Sequence, residues 1–236
     1  MITKQKVNKE EETEDRQSVF ACLAHDLKTP IFAQLKILDL ILSNNFGEIT
    51  HAQREVMIEL RNSCVYMKNL SQNILSLYSF LNNQMKLQNE IFCPNEVIKE
   101  IIQELSVFSE EKHQWLTYIT ESGSSCFLGD KIQIKRCMVN LVSNAIAHSP
   151  VNSEIIIKSD KTRNEFIFSV TNKSSYPLPE TMEMFFDKFK TINSQGSSGL
   201  GLYIVKQIIL AHNGRVFAKK NENNSCTFGF KIPVNL

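Results

Sequence analysis

The 236-residue sequence lacks an excess of either charge: Lys and Arg number 26 and Asp and Glu 25, for a formal net charge of +1. Without a broad field of one sign, it has no electrostatic basis for holding nucleic acid or an anionic membrane. The six cysteines, at 22, 64, 93, 126, 137 and 226, form no CxxC pair and stand near no histidine at ligand spacing. That pattern argues against zinc and disulfide frameworks and reads as reduced, buried thiols in a cytoplasmic protein. No apolar run approaches the ~20 residues a membrane helix needs, and the Lys/Glu-rich start has no signal-peptide core. What remains is a soluble chain long enough for two domains, each able to bury its own core.

Residues 1–17 hold few large apolar side chains and read as a solvated lead-in. From Ser18 the pattern turns helical, with Leu23, Leu27, Ile31, Leu35, Leu38 and Leu42 on one stripe, until Asn44, Asn45, Phe46 and Gly47 break it. A second helix is predicted over 51–81, with Thr50 as N-cap and Val56, Leu60, Met67, Leu70, Ile74 and Leu77 on a heptad-like seam. Two antiparallel helices cannot cover both stripes, so residues 18–86 are expected to pair with a second copy as a four-helix bundle. A Gln/Asn-rich stretch, 82–90, marks the boundary to a second domain over 87–236. There, helices near 95–112, 131–148 and 200–212 alternate with short strands. Helices on one face of a mixed sheet make the whole an α+β chain.

On the first helix His25 stands two positions from both Leu23 and Leu27. At ~100° per residue it is turned about 200° from the stripe and faces solvent. Asp26 flanks it, where a carboxylate can orient or take a ring proton, and Thr29 lies one turn on, where a hydroxyl can position a water. Pro30 follows and removes a helix donor.

On a later helix Asn140 and Asn144 share a face. Neutral amide oxygens suit magnesium already held by a triphosphate, since they add no negative charge. The run Gly196-Ser-Ser-Gly199-Leu200-Gly201-Leu202 leads straight into the last helix. Glycines admit phosphate oxygens to the backbone, and a helix N-terminus offers unpaired N–H groups.

The segment Phe20-Ala-Cys-Leu-Ala-His25-Asp26-Leu-Lys-Thr29-Pro30 resembles the H box of sensor histidine kinases, the two-component signalling enzymes. The helix around Asn140, Asn144 and His148 resembles the asparagine box of the GHKL ATPases, which the kinases share with Hsp90, MutL and type II topoisomerases. Phe185-Phe186-Asp187-Lys188-Phe189 looks like the phenylalanine box and Gly196–Leu202 like the second glycine box. The resemblance implies a dimerisation and phosphotransfer hairpin followed by a GHKL α/β sandwich. It implies ATP and Mg as cofactors, with Asn144 as the metal ligand and Asn140, His148, Gly196, Gly199, Leu200 and Gly201 around the nucleotide. It also implies autophosphorylation on His25, with Asp26 as base, phosphotransfer to a response-regulator receiver domain, and regulator phosphatase activity through Thr29. Input is then expected from an upstream sensor domain or sensor protein.

Two stretches depart from that pattern. Where the family's first glycine box has an aspartate and two glycines, this chain has Asn172 followed by Lys173, Ser174, Ser175 and Tyr176. Asn172 can still accept the adenine amino proton. Tyr176 either stacks on or crowds the base, or lies outside the pocket if Pro177 and Pro179 reroute the loop. The phosphate cation falls to Lys188 or Lys190, neither of which has arginine's bidentate fork. A phosphatase-biased protein, or a nucleotide-binding dimeric adaptor with impaired kinase activity, is the alternative these departures leave open.

Overall fold

The computed structural model describes residues 26–81, 86–120, 126–176, 178–190 and 199–234. The chain divides into two compact units, Met1–Met85 and Lys86–Leu236.

The first unit is a helical hairpin. Helix α1 is described over 26–42 and stays helical through Pro30. It ends in a Schellman-type turn: Asn44 takes φ 58°, its N–H reaches Ile41 O, and Asn45 N–H reaches Leu40 O. Helix α2, His51–Leu81, opens on a capping box in which Thr50 N–H donates to Gln53 Oε1 and Gln53 N–H to Thr50 Oγ1. Arg54 closes the end of α1 by donating to Leu42 O and Asn44 Oδ1. Between the helices Ile31, Leu38, Cys64 and Ser71 are buried, whereas Leu27, Val56, Leu60, Met67 and Ile74 remain exposed. The hairpin thus covers one seam and leaves apolar side chains on the outside.

The second unit starts with strand β1, Glu90–Phe92, and helix α3, Pro94–Glu110. Strands β2 (Trp115–Thr120) and β3 (Phe127–Gly129) precede helix α4 (Lys131–His148), and β4 (Glu154–Lys161) and β5 (Glu165–Lys173) follow. A 3-10 turn at Glu183–Phe186, helix α5 (Gly201–Ala211), β6 (Arg215–Lys220) and β7 (Ser225–Pro233) complete it. The sheet order is β2-β4-β5-β7-β6, with only β2 and β4 parallel, while β1 and β3 form a separate antiparallel ribbon.

Period-two alternation decides which face is covered. On β5, Phe166, Phe168, Val170 and Asn172 point to the helix side, joined by Ile155 and Ile157 of β4 and Phe230 and Ile232 of β7. Against them pack Val97, Ile98 and Ile101 of α3, Ile134, Met138, Leu141 and Val142 of α4, and Ile204, Val205, Ile208 and Ile209 of α5. This is the two-layer sandwich expected from the sequence.

One expectation fails. Cys93 and Cys126 form a disulfide, whereas spacing alone reads all six cysteines as reduced. The β1–β3 ribbon pairs Phe92 with Phe127, so the residues just beyond that pair meet across a sequence separation of 33. Among the described cysteines, Cys64, Cys137 and Cys226 are free and buried, as expected.

Candidate functional site: a cavity between two helices and the sheet

Helix α4 owes its start to Asp130, whose carboxylate accepts from Gln133 N–H at 3.0 Å and from Gln88 N–H at 2.9 Å. Asp130 N–H in turn donates to Nε2 of buried His212, just past α5, whose Nδ1 meets Ile208 O at 2.8 Å. A carbonyl only accepts, so Nδ1 carries the proton and Nε2 is the acceptor. This fixes the start of α4 against the end of α5. The two helices pack together, so the end of α4 faces the start of α5. Gly201, at that start, lies against Asn140: a Cβ there would sit 3.4 Å from Asn140 Oδ1.

A cavity opens where α4, α5, β5 and β7 meet. Its apolar walls include Leu141, Val170, Leu178, Phe185 and Phe228, and its polar groups include Asn144, His148, Asn172, Lys190 and Cys226. Flat apolar walls with a few fixed polar groups suit an aromatic base that needs orienting. Asn172 is 6% exposed and donates through Nδ2 to Ser149 Oγ and Lys173 O. His148 has its pKa pushed down by burial and then by the Lys112 charge, so it is neutral at physiological pH. Burial raises the Cys226 thiol to about 11, leaving it protonated.

Glycines bound the cavity on the α5 side. Gly199 has φ +63°, and a Cβ on it would come within 2.8 Å of the Phe189 backbone. Phe189 N–H donates to Gly199 O at 3.1 Å, joining the two ends of the segment between them. Leu200, at the N-cap position of α5, has no polar side chain with which to cap the helix.

The sequence-predicted residues therefore fall into three groups. Asn144, His148, Asn172, Lys190, Gly199 and Gly201 line one cavity, with Asn140 packed beside it. Lys188 and Leu200 are not among its walls; Lys188 Nζ instead sits 5.1 Å from the centre of the Tyr203 ring, and Leu200 is buried. His25 and Gly196 lie outside the described residues, while Asp26 and Thr29 are exposed on α1.

Tyr176 is also not a wall of the cavity. Asn224 holds its loop by donating to Ser174 O and Tyr176 O, and the ring is 38% exposed. Ser174 and Leu178 line the cavity instead. A wider groove of ≈ 1240 Å³ lies toward one end of the sheet, but Lys173, Lys219 and Lys220 share it with Glu154, Glu180 and Glu183. Mixed charge there selects no ligand of one sign.

Sequence reasoning missed Ser149 and Cys226. Both touch Asn172, and Cys226 is its direct partner across the β5–β7 ladder. The strand register brings in Cys226, and the end of α4 brings in Ser149.

The family model described as histidine kinase-, DNA gyrase B-, and HSP90-like ATPase matches residues 129–236. The catalytic domain of histidine kinase ThkA is 31% identical, with a TM-score of 0.57 over 64% of this chain and 97% of that one. Heme sensor protein HssS of Staphylococcus haemolyticus is 28% identical over 92% of this chain and 47% of its own length. The structure of ThkA with response regulator protein TrrA shares the fold, at a TM-score of 0.60 and 23% identity over 98% of this chain and 66% of that one. The chain spans about half or less of the curated sensor proteins it matches. With 31% identity to a histidine kinase catalytic domain over 97% of that chain, this chain belongs to the histidine kinases, as a sensor-kinase core with a GHKL-type ATPase unit.

Proposed function

We propose that the chain is a histidine autokinase that moves the γ-phosphoryl group of ATP to His25 and then to an aspartate of a response regulator. The cavity carries this reading: apolar walls beside the Asn172 amide for the base, with Asn144 and the glycine-flanked start of α5 toward the phosphates. A ring nitrogen of His25 attacks the γ-phosphorus, a P–N bond forms, and the bond to the β,γ-bridging oxygen breaks as ADP departs with the electron pair. Asp26, next along α1, takes the other ring proton.

Transfer onward breaks the P–N bond, forms a P–O bond to the regulator's aspartate, and returns the electron pair to the ring. The solved ThkA–TrrA complex, whose fold this chain shares, supports a receiver domain as partner. Thr29 serves the reverse chemistry by positioning water on the phosphorylated regulator. The exposed Val56, Leu60, Met67 and Ile74 support a homodimer through the hairpin.

Magnesium fits the donor set. The Asn144 amide oxygen is a neutral, hard donor, which suits a cation that arrives on the triphosphate and keeps most of its water. Asn144 would hold it, with Asn140 beside the phosphates, and the ion supplies charge neutralisation on the transferring group. Among the described residues Lys190 is a cation that lines the cavity, and Gly199 and Gly201 stand where the phosphates would lie.

Incubation with γ-labelled ATP and magnesium tests this. Acid-labile label that maps to His25 and chases onto a receiver domain is expected. Tight nucleotide binding with no label on the chain supports the phosphatase-biased or adaptor alternative, whose basis is Asn172 in place of aspartate.

A further inference from the structure

Aspartate can only accept at the position of Asn172, but an asparagine could present either face of its amide to a base. Its surroundings decide which. Nδ2 donates to Ser149 Oγ at 3.0 Å and to Lys173 O at 2.8 Å. Neither partner can donate in return: Lys173 offers a carbonyl, and Ser149 spends its single hydroxyl proton on Ala145 O at 2.5 Å. Flipping the amide would set Oδ1 against two oxygens and lose both hydrogen bonds in a site that is 6% exposed.

Oδ1 is therefore turned to the β7 side, where Cys226 Sγ donates to it at 3.5 Å. A thiol is a weak donor, and a carbonyl oxygen has two lone pairs, so Oδ1 keeps acceptor capacity. Asn172 and Cys226 both line the cavity.

We propose that Ser149 and the Lys173 carbonyl are positioning groups that lock Asn172 Oδ1 as an acceptor, restricting the cavity to purines with a 6-amino group and excluding 6-oxo purines. This rests on the nucleotide-site reading above and adds what sets base choice in a chain that lacks the aspartate. A 6-oxo purine would bring a carbonyl oxygen against a fixed carbonyl oxygen, a repulsive pairing that selects as strongly as the attractive one.

The test is calorimetric titration of the full chain with ATP and with inosine triphosphate, in magnesium buffer. ATP binds at least about tenfold tighter in the unaltered chain. Ser149→Ala, which removes one of the two groups that hold the amide, narrows that ratio by about threefold, and Ser149→Thr, which keeps the hydroxyl, restores it. A merely structural role for Ser149 would weaken both nucleotides together and leave the ratio unchanged, which overturns the positioning assignment. Equal affinity for the two nucleotides in the unaltered chain overturns the inference and leaves the nucleotide site standing. If neither they nor ADP bind, the nucleotide-site reading fails and the inference falls with it.

Discussion

At position 172 stands a neutral amide, and its neighbours Ser149, Lys173 and Cys226 make it an acceptor. Replacing it with leucine removes that acceptor and leaves Ser149 Oγ without its donor, so ATP affinity falls by about tenfold in a titration, from one lost hydrogen bond. His148 supplies a pH test. Its folded-state pKa is depressed by burial and by Lys112, so the unfolded chain binds its proton more readily. The stability it contributes is complete above the ordinary histidine value of about 6.5 and is lost as pH falls below it toward the folded pKa. Thermal melts should show less loss on acidification in His148→Gln than in the unaltered chain. Asn140 and Asn144 were legible in the sequence because helical spacing alone puts them on one face. Ser149 and Cys226 were not, because their meeting with Asn172 depends on where α4 ends and on the β5–β7 register.

Among elements, α4 and α5 do most to place the site, and the Asn140–Asn144 spacing and the glycine run before α5 made both readable. Asp130, Gln133 and His212 fix the start of α4, and Gly201 sets how closely α5 approaches Asn140. Gly199 is the constrained point: at φ +63° against the Phe189 backbone, it has no room for a side chain. Gly199→Ala should therefore part the Phe189–Gly199 contact and lower ATP affinity by about tenfold, with a smaller change in melting temperature. Ile208→Ala should act the opposite way, costing about 2–5 kcal/mol of stability in denaturant unfolding because its side chain is wholly buried under the sheet. Strand β1 escaped the sequence reading because Glu90–Phe92 is too short to show alternation. The Cys93–Cys126 bond escaped with it, since the ribbon that aligns the pair is what brings them together.

For the whole molecule, the proposed autokinase would pair two copies through the apolar side chains that the hairpin leaves exposed. A paired Leu60→Lys, Met67→Lys variant should shift the chain from dimer to monomer in sedimentation, because both side chains are exposed in one copy. The most direct measurement of the central claim is a single-turnover reaction with γ-labelled ATP and magnesium on the unaltered chain, His25→Gln and Asn144→Ala. The account predicts acid-labile, alkali-stable label on the unaltered chain, none on His25→Gln, and strongly reduced label on Asn144→Ala. Equal label on the unaltered chain and His25→Gln would contradict it.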